Sequence, residues 1–136
     1  MAKPPNPPRV DVLRSPLGRA RGLGSAKAGA RHWWAQRLTA VALVPLTLWF
    51  IWSILHLTGA SQTDISGWLA SPVRLALLLG LIVATFHHLQ LGMQVVIEDY
   101  VDQEGVKLAA ILAVKGVCVL LGLICAVCAL ALGLTS

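Results

Sequence analysis

Acidic side chains are scarce in this chain: six Asp and Glu stand among 136 residues, and charged residues of both signs make up only 12%. A soluble domain is usually about one quarter charged. With 57% of the residues hydrophobic, composition excludes an ordinary water-exposed globule and places the chain in a bilayer. Cysteine is equally restricted, because Cys118, Cys125 and Cys128 all fall within the last apolar run. The Cys125-x-x-Cys128 spacing superficially matches a redox or metal pair. It has no nearby His and no third ligand, so small packing residues inside a span are the better reading.

Other signals are missing too. Gly22-Leu23-Gly24-Ser25-Ala26-Lys27 offers glycine amides beside a lysine, but no buried strand precedes it and the Walker spacing is absent, which excludes a phosphate loop. The first apolar run is too long for a secretory signal and no small-residue cleavage site ends it. A mitochondrial transit peptide would also be basic and poor in acid, but Asp11 and the prolines spoil an amphipathic helix, which favours a bacterial protein. No internal repeat, flavin motif or iron–sulfur motif is visible. Although the net charge is +5, eight of the eleven Lys and Arg residues (Lys3, Arg9, Arg14, Arg19, Arg21, Lys27, Arg31 and Arg37) precede the first long apolar run. With no aromatic platform or base-reading fold beside them, nucleic acid is excluded as a partner.

What is present reads as an all-α membrane protein: three transmembrane helices behind an extended, basic N-terminal tail. Residues 1–30 hold five of the seven prolines, and the tail is taken to residue 35. Residues 36–136 form the membrane domain, with spans at about 36–58, 72–97 and 107–134, each near or above the ~20 residues that cross the hydrocarbon core. Pro45 is placed to bend the first span, and Pro72 suits a helix start. Residues 59–71 read as a polar loop, with Trp68 as an interfacial anchor and Arg74 able to snorkel outwards. Trp33 and Trp34 stand at the entrance of the first span. The basic tail orients the chain with its N-terminus cytoplasmic, the 59–71 loop outside and the acidic turn of Glu98, Asp99, Asp102 and Glu104 inside. Lys115 reads as a snorkelling residue or one that meets a partner group.

Chemistry concentrates in His87-His88-Leu89-Gln90-Leu91-Gly92-Met93-Gln94-Val95-Val96-Ile97-Glu98-Asp99-Tyr100-Val101. A helix turns about 100° per residue, so Asp99 returns to within roughly 20° of His88, about three turns (~16 Å) further on. Gly92 lies one turn after His88 on that face, where a missing side chain lets a flat group such as a porphyrin lie close to the backbone. An imidazole at mid-membrane depth needs a partner, and His88 by position alone suits either an axial haem ligand or a helix-to-helix hydrogen bond. Arg37 reads as a topology anchor or, through its planar fork, as a group that pairs with a propionate. Tyr100 and Asp99 read either as an aromatic-belt tyrosine with a helix-ending acid, or as a quinone hydrogen-bond donor with a proton-path or orienting carboxylate. His32 is left unassigned, and His56 reads as an interfacial residue.

The spacing His88…Asp99-Tyr100 with Gly92 between, together with Ser15-Pro16-Leu17-Gly18, Gly22 to Lys27 and His32-Trp33-Trp34-Ala35-Gln36-Arg37-Leu38-Thr39-Ala40, resembles the hydrophobic membrane anchor subunit of succinate dehydrogenase, the small cytochrome b subunit of complex II, of alphaproteobacterial type. The likeness covers most of residues 15–101. It implies a respiratory electron-transfer subunit in which His88 is an axial ligand of haem b, Arg37 meets a haem propionate, and Asp99 and Tyr100 lie at the ubiquinone site. Only one such histidine is present at that depth, so the second haem ligand would come from another chain. The partners implied are the cytochrome b556 anchor subunit, an iron–sulfur subunit and a flavoprotein subunit, in the bacterial inner membrane or alternatively the mitochondrial one. The rival readings are a non-redox assembly or transporter subunit, in which His88 and Asp99 are structural polar contacts, and the anchor of a related fumarate reductase.

Overall fold

The computed structural model describes residues 27–134. Four helices are found among them and no strand: α1 (Lys27–His56), α2 (Gln62–Leu69), α3 (Pro72–Tyr100) and α4 (Glu104–Leu134). The extended-tail reading of residues 1–26, with Gly22 to Ala26 in it, lies outside that range, whereas residues 27–35, also assigned to the tail, are helical. From Lys27 onward the basic segment is helical, as the first part of α1. Three helices, over Gly29–His56, Pro72–Tyr100 and Glu104–Leu134, are long and apolar enough to cross a membrane.

Within α1, hydroxyls that would be costly in lipid turn back onto their own helix. Thr39, Thr47 and Ser53 donate to the carbonyls of Ala35, Leu43 and Trp49 at 2.8, 2.6 and 2.8 Å, so each is satisfied locally. Pro45 lies inside α1 without ending it.

The segment read as a loop contains α2. Its cause is a capping box: Ser61 Oγ accepts from Asp64 N at 3.3 Å, while the Asp64 carboxylate accepts from Ser61 N at 3.0 Å and from Ser61 Oγ at 2.6 Å. These bonds hold the Asp64 carboxyl below its ordinary value, the Ser61 hydroxyl contributing most. Gly59, with φ of +81°, makes the turn that leads into this cap.

Pro72 occupies the first turn of α3, where its missing N–H costs nothing. The helix runs unbroken to Tyr100 and stops where Val101 turns extended, its N–H bonded to the Ile97 carbonyl. Val101–Gln103 then links α3 to α4, so the two lie antiparallel. Their seam is tight at one point, where a Cβ on Gly122 would come within 3.2 Å of the Phe86 ring. Small residues allow such close approach between spans. Buried Cys118 belongs to this packing, and Cys125 and Cys128 are exposed free thiols.

At the far end α2 packs on α4 and α3. Leu69 is buried, and a Cβ on Gly133 would meet its carbonyl oxygen at 3.1 Å. Trp68 stacks on Trp49 of α1 with centroids 5.9 Å apart, and Arg74 both donates to the Trp68 carbonyl at 3.1 Å and lies 5.1 Å over its ring. Arg74 thus folds back over Trp68 at the N-terminal end of α3. Outside these contacts the spans present large exposed apolar side chains, among them Val41, Leu48, Trp52 and Val119, a surface suited to lipid or to another membrane chain.

Candidate functional site

Helices α1 and α3 run antiparallel, since Thr39 near the start of α1 meets His88 late in α3 while Trp49 further along α1 meets Trp68 just before α3 begins. The first contact is a hydrogen bond of 3.0 Å between Thr39 Oγ1 and His88 Nδ1. Thr39 Oγ1 also lies 2.8 Å from the Ala35 carbonyl and 3.0 Å from that of Gln36.

Beside this bond opens a cleft of about 440 Å³ lined by Trp33, Gln36, Arg37, Ala40, Val41 and His88. The α1 residues recur every three or four positions and so form one stripe of that helix. His88 is the contribution of α3. The Arg37 guanidinium lies 4.6 Å over the Trp33 ring, a cation–π contact that holds the charge at the edge of the cleft. His88 and Arg37, assigned to one group by resemblance, therefore share one cavity.

His87, about 100° further round the helix, is exposed and lines a different, mostly apolar groove with Phe86, Gln90, Cys118 and Gly122. Gly92 meets no atom within 4 Å of where its Cβ would stand, leaving its side of α3 open. Asp99 and Tyr100 are exposed in the last turn of α3, and Tyr100 retains 83% of its surface. Because α3 stays helical to Tyr100, the shared face of His88 and Asp99 is real. The acid and the tyrosine nevertheless stand some 16–18 Å along the axis from His88 and are not part of the cleft lining.

His56 Nδ1 contacts the Trp52 carbonyl at 2.9 Å and its ring packs 4.3 Å from the Trp52 ring, at the opposite end of α1. His32 is half-buried, its Nε2 atom covered and without a hydrogen-bond partner among the described residues. Lys115 is half-buried on α4. Among the described residues, no three His, Cys, Asp or Glu side chains gather into a metal-binding group.

Two residues of the site enter the sequence reading only as members of the His32 to Ala40 motif, with no role of their own. Thr39 and Gln36 look like ordinary polar interruptions of a span. The only available signal is that Thr39 lies about as far into α1 as His88 lies from the end of α3, which has meaning only once those helices are paired antiparallel.

Comparison with known proteins gives one consistent result. Residues 12–130 match the family described as succinate dehydrogenase/fumarate reductase transmembrane subunit. The chain is 38% identical over 103 residues to the succinate dehydrogenase hydrophobic membrane anchor subunit of Rickettsia bellii, covering 76% of this chain and 82% of that protein. The subunit of the same name from Rickettsia conorii is 32% identical over 79% of this chain and 86% of its own length. That of Paracoccus denitrificans is 33% identical over 72% and 75%. No solved structure matches.

Proposed function

Because the chain belongs to the succinate dehydrogenase/fumarate reductase transmembrane subunit family, we propose that it is the hydrophobic membrane anchor of a succinate:ubiquinone oxidoreductase, and that it supplies one axial ligand to a haem b and part of the ubiquinone site. The observation that carries this reading is the common cleft of His88 and Arg37. An imidazole with one nitrogen engaged by Thr39 and the other without a partner among the described residues suits a group that brings most of its own iron ligands, and a guanidinium beside it suits that group's propionates. The open side of Gly92 supports the same fit.

In this reading bound haem supplies a one-electron carrier within the membrane. The chain's own residues do the rest. His88 offers the free ring nitrogen to iron, and Arg37 neutralises a propionate at the cleft edge. The exposed position of Tyr100 leaves its phenol free to donate a hydrogen bond to a quinone carbonyl, with Asp99 holding a proton path or orienting a neighbour. The open apolar faces suit a second anchor chain, a cytochrome b556 subunit that brings the other haem ligand. The iron–sulfur and flavoprotein subunits dock on the cytoplasmic side, where the positive-inside rule puts the N-terminus and the α3–α4 turn, in a bacterial inner membrane. Succinate oxidation belongs to those subunits; this chain anchors, ligates and binds quinone.

The test is the absorption spectrum of the purified complex. His88→Ala should abolish or alter the low-spin b-type bands, whereas His87→Ala should largely spare them. Equal loss from both, or from neither, would remove the assignment. A complex with no b-type spectrum at all would favour a haem-free fumarate reductase anchor or a non-redox subunit.

A further inference from the structure

We infer that Thr39 is the positioning residue for His88: its hydroxyl oxygen accepts a hydrogen bond from the ring Nδ1–H, which fixes the tautomer and leaves the Nε2 lone pair for iron. The inference rests on the haem reading above and adds to it a residue on a different helix.

The argument is a count of protons. A threonine hydroxyl carries one hydrogen and two lone pairs. Three possible partners surround Thr39 Oγ1: the Ala35 carbonyl at 2.8 Å, the Gln36 carbonyl at 3.0 Å and His88 Nδ1 at 3.0 Å. The carbonyls can only accept, and the nearer of them lies four residues back, the usual target of a threonine inside a helix. With its proton directed there, Oγ1 turns a lone pair to the imidazole, and the contact closes only if Nδ1 carries the ring hydrogen. A neutral imidazole has one N–H, so Nε2 is then unprotonated. Among the described residues Nε2 has no hydrogen-bond partner, and His88 lines the cleft that Thr39 does not. Thr39 instead borders an apolar groove on the other side with Leu38, Ala42, Leu79 and Gly80.

A ligating histidine commonly donates its second N–H to a fixed acceptor, which sets ring orientation and raises ligand basicity. Such an acceptor is usually a carboxylate, carbonyl or water. Here a hydroxyl anchored to its own helix stands at Nδ1. Because donor and acceptor lie on different helices, the bond also fixes the register of α1 against α3 at the depth of the haem.

The experiment compares Thr39→Val and Thr39→Ser in the intact complex, reading the haem midpoint potential and the low-spin electron paramagnetic resonance signal. Valine keeps the shape and loses the acceptor. Loss of an outer-shell partner typically weakens a metal site 10–100-fold, and each tenfold by which ferric haem is weakened relative to ferrous raises a one-electron potential by about 59 mV. Thr39→Val should therefore raise the potential and shift the g values, while Thr39→Ser should restore both. If valine blocks assembly, Thr39→Ala supplies the same loss with less bulk and should show the same shift.

Wild-type potential and g values in Thr39→Val or Thr39→Ala would overturn the inference, as would a serine variant that behaves like valine. Those outcomes leave His88 as the ligand. Failure of the haem reading is separate: it shows as a spectrum indifferent to His88→Ala, and it takes the role of Thr39 with it.

Discussion

On one side α3 meets α4 across Gly122, where a Cβ would press against the Phe86 ring at 3.2 Å. On the other it meets α1 through the Thr39–His88 hydrogen bond, next to a cleft of about 440 Å³. The first seam is made by apolar shape and a short link, and a hairpin of two spans can form it without any other chain. The second is held by a polar contact. In lipid, where burying apolar surface drives nothing, the two seams use the two remaining sources of helix association, close packing and hydrogen bonding. The cleft beside the second is lined by His88 and Arg37.

Crowding the tight point at Gly122 should have the largest effect. Gly122→Leu forces the Phe86 ring or the helix axis to move, and overpacking of this kind costs about 1–3 kcal/mol. Thermal inactivation of the purified complex should show the loss, and Gly122→Leu at wild-type stability would mean that α3 and α4 are not tightly joined.

Tyr100 lies beyond both seams. Tyr100→Phe removes one hydrogen-bond donor, worth about 0.5–1.5 kcal/mol, and should weaken quinone reduction several-fold while the flavin-side activity, followed with an artificial acceptor, is retained. Asp99→Asn should likewise spare the bypass assay. A joint fall of both activities would make these residues supports of assembly.

Gly92, on the open side of α3, should answer in the opposite sense to Gly122. Gly92→Ala meets open space and should raise helix stability, by up to about 1 kcal/mol on propensity alone. Gly92→Leu should keep the chain inserted but lower haem content. Unchanged haem in Gly92→Leu would show that nothing flat lies against that face.

The smallest effect concerns α2, which closes the far end. The folded Asp64 carboxyl is lowered by its bonds from Ser61, so its contribution is complete above the ordinary carboxylate value and is lost as pH falls through the lowered folded value. Amide exchange in α2 should quicken in acid and in Ser61→Ala, with the three spans unaffected. Acid-insensitive protection of α2 would show that packing of Leu69 and Trp68, not the cap, holds it.

How much of this was legible beforehand depends on the kind of signal. The ends of α3 were nearly so, because Pro72 is a specific start signal and the acidic turn marks the exit. The helix α2 reads from sequence as a loop, although Ser61-x-x-Asp64 spells its cap, because its only apolar side chains, Ile65, Trp68 and Leu69, give one turn of stripe in eight residues. His88 and Arg37 were singled out separately, and Thr39 only as part of a motif.

Composition and run length alone determined that the chain is helical, crosses the membrane three times and carries a histidine deep in its second span, since a bilayer demands about 20 apolar residues per crossing and satisfied backbone groups throughout. Tertiary structure alone decided that His88 turns to Thr39 and the Arg37 cleft while His87 stays exposed, bordering one groove with Cys118 and another with Leu79. The physical reason is that spans apolar on every side have almost no hydrophobic stripe to set their rotation. Which face meets which neighbour is chosen by local contacts between helices, here one glycine under a ring and one hydroxyl against an imidazole.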